Sequence, residues 1–300
     1  MTPALQAALG RAIVDATGAD WTPLAAEPVS GGCIHTALCL KGEDAGGRTR
    51  HFAKLAPVEK VPMLEAESEG LSAIRSAGEV RVPGEVARGD DGETGWLILE
   101  WLDLEGLSAV SGARLGQALA AQHRIPQPKF GWEKDNFIGA TPQRNGWSDD
   151  WLGFWRGRRI HAQLRLAVGN RYPSPMIDRG ERLLADCEAF FRAHKPVPSL
   201  LHGDLWSGNA AALGDGTPVV FDPAVYCGDR EADLAMTELF GGFPKDFQAA
   251  YRAAWPLDEG YAVRRDFYNL YHVLNHANLF AGGYVQQGAR LIERLLAEIR

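Results

Sequence analysis

The sequence predicts an α+β protein of two lobes, a small antiparallel-sheet front lobe carrying one main helix and a larger, mainly helical back lobe. Three observations carry this reading. Short apolar runs of strand character, broken by glycine-rich turns, fill residues 29–99. After Trp101 the helical period prevails, apart from a strand-like island at Ser199–Asp222. The change of character falls at Glu100–Leu104, too short a connection for a flexible linker. The lobes are therefore placed at 1–101 and 102–300, with a cleft between them of the kind that favours ligands.

Taken in order, Thr2-Pro3-Ala4 to about Thr17 reads as a short helix with proline at its first helical position. From Val29 the pattern turns strand-like, and Ala37–Leu40 and Phe52–Leu55 flank a turn at Gly42–Gly47. Pro62–Ser76 reads as a helix whose Leu64, Leu71 and Ile74 form one inward stripe. Val80-Arg81-Val82 and Trp96-Leu97-Ile98-Leu99 read as two further strands joined by the turn Asp90-Asp91-Gly92. Ile125–Gly146 is loop-rich, and no internal repeat is present.

Composition narrows the function. The 300 residues carry a formal charge of −7, which argues against a phosphate-backbone binder, although Arg156, Arg158 and Arg159 make a small basic patch. Cys33, Cys39, Cys187 and Cys227 are sparse and include no Cys-x-x-Cys pair, which fits a reducing compartment and argues against a zinc ribbon. No signal peptide and no apolar run of membrane-spanning length is evident. The expectation is a soluble, cytoplasmic protein without nucleic-acid or membrane partners, a monomer or a weak homodimer.

The strongest chemical signal is His202-Gly203-Asp204-Leu205-Trp206-Ser207-Gly208-Asn209. It has the His-x-Asp-x-x-x-x-Asn spacing of a kinase catalytic loop. Thirteen residues on comes Phe221-Asp222-Pro223, and the intervening Gly214-Asp215-Gly216 turn lets two short strands fold Asp222 back beside Asn209. Phosphoryl transfer needs this set: one carboxylate for the attacking hydroxyl, and a second carboxylate plus an amide oxygen for the metal on the phosphates. Oxygen donors suit Mg²⁺. As isolated features, His202-Gly203-Asp204 would be a turn and Asp222 a strand-end cap. The combined spacing instead points to a protein-kinase-like bilobal fold that uses ATP, with Asp204 catalytic, Asn209 and Asp222 as metal ligands, and His202 structural.

In the front lobe, Lys54 lies on the strand where kinases keep their phosphate lysine. Of the three glutamates on the following helix, Glu67 falls on the inward stripe, whereas Glu65 and Glu69 point away. A carboxylate facing inward needs a counter-charge, and Lys54 is the natural one. Gly31 and Gly32, in Val29-Ser30-Gly31-Gly32-Cys33-Ile34-His35, either bring backbone amides to phosphates or form a plain hairpin turn. Cys33 reads as an inert small residue.

Three longer stretches resemble the fructosamine kinase (ketosamine-3-kinase) family. They are Phe130-Gly131-Trp132-Glu133-Lys134-Asp135-Asn136-Phe137-Ile138-Gly139 with Thr141-Pro142-Gln143, Trp147-Ser148-Asp149-Asp150-Trp151 with Phe154-Trp155, and Tyr226 through Gly242. The likeness runs from about Val29 to Tyr284. Aminoglycoside and choline kinases share the loop but not these stretches. The resemblance implies transfer of the ATP γ-phosphate to the C3 hydroxyl of ketosamines, free or on glycated proteins. It implies Asp204 as base, Asn209 and Asp222 as Mg²⁺ ligands, Lys54 on the phosphates, and Glu100-Trp101-Leu102 as the strap that holds adenine by its backbone. Cys227 departs from the family, which often has tyrosine there.

The remaining candidates are open. Trp206, inside the catalytic loop, is a substrate candidate. Trp147, Trp151 and Trp155, four residues apart, read as one helix face that is either core or a sugar platform. Asp229 is a substrate candidate, an ion-pair partner of Arg230 or Arg165, or a helix-start acid. His272 and His276 lack the zinc-protease pattern and read as packing or substrate-cleft residues, His276 being the substrate candidate. Two rivals remain: another small-molecule kinase of the aminoglycoside or choline type, and a nucleotide-binding regulator without turnover.

Overall fold

In the computed structural model, which describes residues 1–29 and 35–299, helix α1 (Pro3–Thr17) opens the chain. Thr2 Oγ1 accepts from Leu5 N at 3.2 Å, Pro3 starts the first turn, and Gly18 ends the helix in the left-handed conformation. Leu9 and Ile13 on its apolar face pack against Trp21, Leu40, Ala53, Trp96 and Ile98 on one side of the sheet. That sheet comprises β1 (Thr22–Pro28), β2 (Thr36–Asp44), β3 (Gly47–Pro57), β4 (Glu85–Asp90) and β5 (Thr94–Glu100), antiparallel in the order β1-β2-β3-β5-β4. Helix α2 (Val61–Ala77) covers its other side. The front lobe thus has a helix on each face of its sheet, the short opening helix and the main helix expected at Pro62–Ser76.

One strand and one turn differ from the expectation. Val80-Arg81-Val82 is not a sheet strand. Val80 and Val82 are buried in the core below the sheet, and Arg81 makes a single parallel bridge to Val219. Pro83 has no N–H to continue pairing, and the edge is taken by the polar, half-exposed Glu85–Asp90. The hairpin between β2 and β3 is also tighter than Gly42–Gly47, because pairing continues to Asp44↔Gly47. Gly42 is there for space: a Cβ would lie 2.2 Å from the Trp21 ring that crosses the strand.

The back lobe begins with α3 (Ala109–Arg124), whose Ser108 and Ser111 cap each other's backbone N–H. A small hairpin, β6 (Asn136–Ile138) and β7 (Thr141–Gln143), lies within the loop-rich stretch. Then come α4 (Trp151–Trp155), a π-helical turn at Arg156–His161, α5 (Ala162–Gly169) and α6 (Ser174–Asp186). Short strands β8 (Ser199–Leu201), β9 (Ala210–Ala212), β10 (Pro218–Val220) and β11 (Tyr226–Gly228) carry the motif region. Helices α7 (Glu231–Leu239), α8 (Lys245–Ala254), α9 (Tyr261–Phe280) and α10 (Gly283–Ile299) complete the chain.

Trp151 and Trp155 pack into the core against Tyr268 of α9, but Trp147 precedes the helix and is 44% exposed, so the three do not share a helix face. Arg159, expected on a basic patch, is fully buried. The wide turn carries it inward, with its guanidinium 4.2 Å from the Tyr226 ring and Nη2 on Asn145 Oδ1 at 2.8 Å.

One core spans both lobes: Leu64, Leu71 and Ile74 of α2 pack with Leu200, Leu205, Val220 and Val225. Each buried leucine contributes about 1.5–3 kcal/mol, so α2 is pinned to the back lobe. At Gly70 the approach is close, and a Cβ would sit 3.0 Å from Pro223 and 3.4 Å from Val225. Gly70→Leu is therefore expected to push α2 off the segment after Asp222. Turnover should fall at least tenfold in a protein that still melts cooperatively. Steady-state kinetics and circular dichroism check this, and unchanged turnover would show that α2 has slack.

Candidate active site

Alternation along β3 sends Ala53 and Leu55 toward α1, and Lys54 and Ala56 to the opposite face. Lys54 Nζ donates to Glu67 Oε1 at 2.7 Å and Oε2 at 2.8 Å, and also to Asp222 Oδ1. Lys54 and Glu67 are both buried. Burial opposes the ammonium, yet Glu67 and Asp222 together raise the Lys54 pKa above its ordinary value. Burial pushes the Glu67 carboxyl up against the pull of Lys54.

Strand β8 leads into the loop at His202–Asn209. Asp233 of α7 holds that loop from below, accepting from His202 N at 2.7 Å and Gly203 N at 2.8 Å. Gly203 (φ +81°) is obligatory, since a Cβ would lie 2.1 Å from the Ala224 carbonyl oxygen. Burial lowers the His202 pKa, which leaves the ring neutral. Its Nε2 lies 3.0 Å from the Phe221 carbonyl, which only accepts, so Nε2 carries the proton and Nδ1 accepts from Asp204 N at 3.3 Å. His202 thus ties the loop to the residue before Asp222, the structural role expected of it.

Asn209 Nδ2 donates to the Asp204 carbonyl at 2.9 Å, and among the described residues its amide oxygen accepts no hydrogen bond. Phe221 N donates to the Asn209 carbonyl at 3.1 Å, placing Asp222 next to it. Asp222 is left-handed (φ +57°), a conformation tolerated best by glycine, asparagine and aspartate, so its carboxylate is aimed by backbone strain held in place by the surrounding loop. Burial, together with the charges of Asp222 and Asp233, pushes the Asp204 carboxyl up to about 7. His35 is held neutral, at about 4, by burial and by Lys54. Glu67 and Asp222 therefore share one ammonium, Asp204 lies near enough to feel the Asp222 charge, and both nearby imidazoles are uncharged. That surplus of negative charge and free oxygen donors suits a small hard cation.

The structure thus unites Lys54, Glu67, Asp204, Asn209 and Asp222. Gly31, Gly32 and Cys33 lie outside the described residues. Glu100 ends β5, where its N–H donates to Gly84 O at 2.8 Å and its Oε1 accepts from Arg81 Nη2 at 2.5 Å, so its N–H is already used within the fold. Trp101 is turned aside, with Arg50 5.1 Å over its ring and Nε1 on Asp103 at 2.9 Å. Leu102 is half-buried beyond it.

Trp206 and His276 belong to one row of rings. Trp206, 40% exposed, lies 6.4 Å from Phe240, which lies 5.0 Å from His276, which in turn lies 5.6 Å from Phe280 and 5.1 Å from Tyr284. Phe240, Phe280 and Tyr284 were not foreseen. Only Phe240 had a signal, its place before Gly241-Gly242.

Asp229 is not in the cleft. It is buried, with His194 Nε2 at 2.6 Å and the Tyr268 hydroxyl donating at 2.6 Å, and it bonds neither Arg165 nor Arg230. Its position after β11 turns it into the helical body beneath α9. His194, Asp229 and Glu231 come close enough to suggest a metal site. Each is already partnered, however: His194 by Asp258 at 3.0 Å, Asp229 by Tyr268, and Glu231 by Arg264 at 2.7 and 3.0 Å.

Burial opposes the His194 imidazolium, but Asp229, Glu231 and Asp258 hold its pKa above the ordinary 6.5. A raised folded pKa gives stability that is complete below 6.5 and fades as pH rises through the folded value. Asp229 is depressed despite burial, so its share persists above 3.8 and is lost in acid. The melting temperature is expected to fall by a few degrees from about pH 6 to pH 9, and His194→Gln should flatten that slope. Equal slopes in thermal melts of the two proteins would exclude this cluster as the source.

The sequence model of the fructosamine kinase family matches residues 5–298. A Synechocystis sp. protein provisionally named ketoamine kinase is 42% identical, over 98% of both chains. The chloroplastic protein-ribulosamine 3-kinase of Arabidopsis thaliana is 38% identical, over 91% of this chain and 82% of its own. The crystal structure of a Haemophilus somnus protein that provisionally carries the fructosamine-3-kinase name superposes with a TM-score of 0.85 at 28% identity, covering 96% of each chain. Among the described residues, no helix is long and apolar enough to cross a membrane.

Proposed function

The chain belongs to the fructosamine kinase family, and from that premise we propose that it transfers the γ-phosphate of ATP to the C3 hydroxyl of ketosamines, with ribulosamine-type adducts preferred. The observation that carries this is the convergence of Lys54, Asp204, Asn209 and Asp222, linked through the Lys54–Asp222, Asn209–Asp204 and Phe221–Asn209 hydrogen bonds. Asp204 accepts a hydrogen bond from the attacking hydroxyl, orients it and takes its proton. Lys54, held in place by Glu67, presents its ammonium to the phosphates. The Asn209 amide oxygen and the Asp222 carboxylate would hold Mg²⁺, which when bound neutralises charge on the phosphates.

In this reading residues 1–101 hold the nucleotide, with the backbone of Glu100, Trp101 and Leu102 facing adenine, and residues 102–300 hold the acceptor. Trp206 and His276 provide ring faces for the sugar-bearing amine. The row they begin is open, ending at the 55% exposed Phe280, so an acceptor carried on a protein surface has room to approach. Enolisation of the product toward C1 leaves the C3 phosphate allylic to the C1–C2 double bond, so phosphate is expelled as an iminium forms at C1, and addition of water there releases the amine.

The test is ATP consumption with ribulose-lysine and fructose-lysine adducts, set beside an aminoglycoside, choline and a free sugar. ADP should form with the ketosamines, followed by slower release of inorganic phosphate as the product eliminates. Turnover of choline or an aminoglycoside alone would transfer the assignment to those kinases. ATP binding without any turnover would leave a regulator.

A further inference from the structure

Outside the cleft, a cavity of about 540 Å³ lies where the two lobes meet. Its walls come from the end of α2, the segment Val80–Val82, one face of α3 and the turn before β10. The size is that of a small-molecule site. Three arginines line it, Arg75, Arg81 and Arg114, with one acid, Glu79, in the lining. Arg81 is also paired with Glu100, and Asp215 lies near enough to Arg114 to feel its charge.

The guanidinium groups are sparsely used. Arg75 donates through Nη2 to the Pro83 carbonyl, and Arg114 through Nη1 to the Asp215 carbonyl at 3.1 Å. Among the described residues neither has a carboxylate partner. Each guanidinium offers five N–H donors, so most remain for a ligand. The floor is apolar, made by Val80 and Val82. Arginine forks match phosphate oxygens in pairs, and an apolar floor accommodates a carbon skeleton.

From this we propose that the cavity is a second binding site for a small organic phosphate, separate from the nucleotide cleft. The anion sits among Arg75, Arg81 and Arg114, with its carbon chain over Val80 and Val82. Occupancy is felt at the cleft through Arg81. That side chain is shared with Glu100, at the start of the strap, and its carbonyl accepts from Val220 N at 3.0 Å, two residues before Asp222. An anion that draws Arg81 from Glu100 loosens the strap, so the KM for ATP rises about two- to tenfold. By linkage, nucleotide weakens the anion by the same factor. Binding at the cavity does not depend on the kinase reading; only this coupling does.

The experiment is calorimetric titration of ribose 5-phosphate, and separately of inorganic phosphate, into protein presaturated with ADP and Mg²⁺ so that the cleft is filled. One site is expected on the wild type, with affinity at least tenfold weaker in Arg75→Gln and in Arg114→Gln, both of which keep their basal turnover. Tighter binding of ribose 5-phosphate than of inorganic phosphate identifies an organic ester. Equal binding of the two identifies free phosphate and overturns the organic ligand. No binding, equal binding by the variants, or equal binding of sulfate and chloride overturns the site. If ADP itself fails to bind, the kinase reading falls, and the titration is read on the free protein.

Discussion

Asp204→Asn is expected to lower kcat on any ketosamine by about 10²–10⁴-fold, the range assigned to a positioned general base, while the KM for ATP changes less than threefold. Asparagine keeps the shape and can still meet the hydroxyl, but it cannot take the proton. The loop should survive, because its anchors are elsewhere: Asp233 on His202 N and Gly203 N, and Asn209 on the Asp204 backbone carbonyl rather than firmly on its side chain. The substitution also removes a carboxylate whose charged form is disfavoured by burial and by the charges of Asp222 and Asp233. The metal-free variant should therefore melt at or above the wild-type temperature, the usual trade between stability and activity at a working site. Coupled ADP assays and thermal melts read both arms. A variant that kept a tenth of wild-type kcat would remove Asp204 as the base. A variant that lost activity together with its cooperative melt would show a structural residue instead.

What could be read from the sequence was what the chain encodes locally. Asp204, Asn209 and Asp222 are close in sequence and joined by a tight turn, so spacing alone brings them together. Glu67 was legible because helical periodicity separates it from Glu65 and Glu69. The strands at Thr22–Pro28 and Glu85–Asp90 were not, since both lie at sheet edges. One is bracketed by prolines and the other is mostly polar, so neither shows alternation of apolar and polar residues. Tertiary partners were equally hidden. His194 lies 35 residues from Asp229, and only the folding of the body reveals that Asp229 is enclosed with it. Trp147 has the spacing of a helix face but lies outside the helix, because periodicity cannot say where a helix begins. His35, whose imidazole feels both Lys54 and Asp222, gave no signal at all.

The second large effect concerns the Lys54–Glu67 pair, and it separates what holds the fold from what performs the chemistry. Lys54→Met leaves the Glu67 carboxylate buried and facing Asp222 without its counter-charge, a loss of about 3–5 kcal/mol for a broken buried pair. Turnover should fall by about 10²–10³-fold, as expected when a charge aimed at the transferring phosphoryl group is removed. Glu67→Gln is milder in stability, since Lys54 keeps Asp222, but its ammonium is then free to swing toward that carboxylate and turnover should drop roughly tenfold. The double variant Lys54→Met with Glu67→Met fills the same space with apolar side chains. Replacement of a whole buried pair is often neutral or stabilising, so its urea midpoint should return to near the wild-type value while turnover stays at the Lys54→Met level. Recovery of stability without recovery of activity would show that burying this pair adds little to the fold, and that its value lies in fixing one ammonium opposite Asp222. A double variant as unstable as Lys54→Met would mean that the packing of α2 against β3, and not the unpaired carboxylate, is what the single substitution damages.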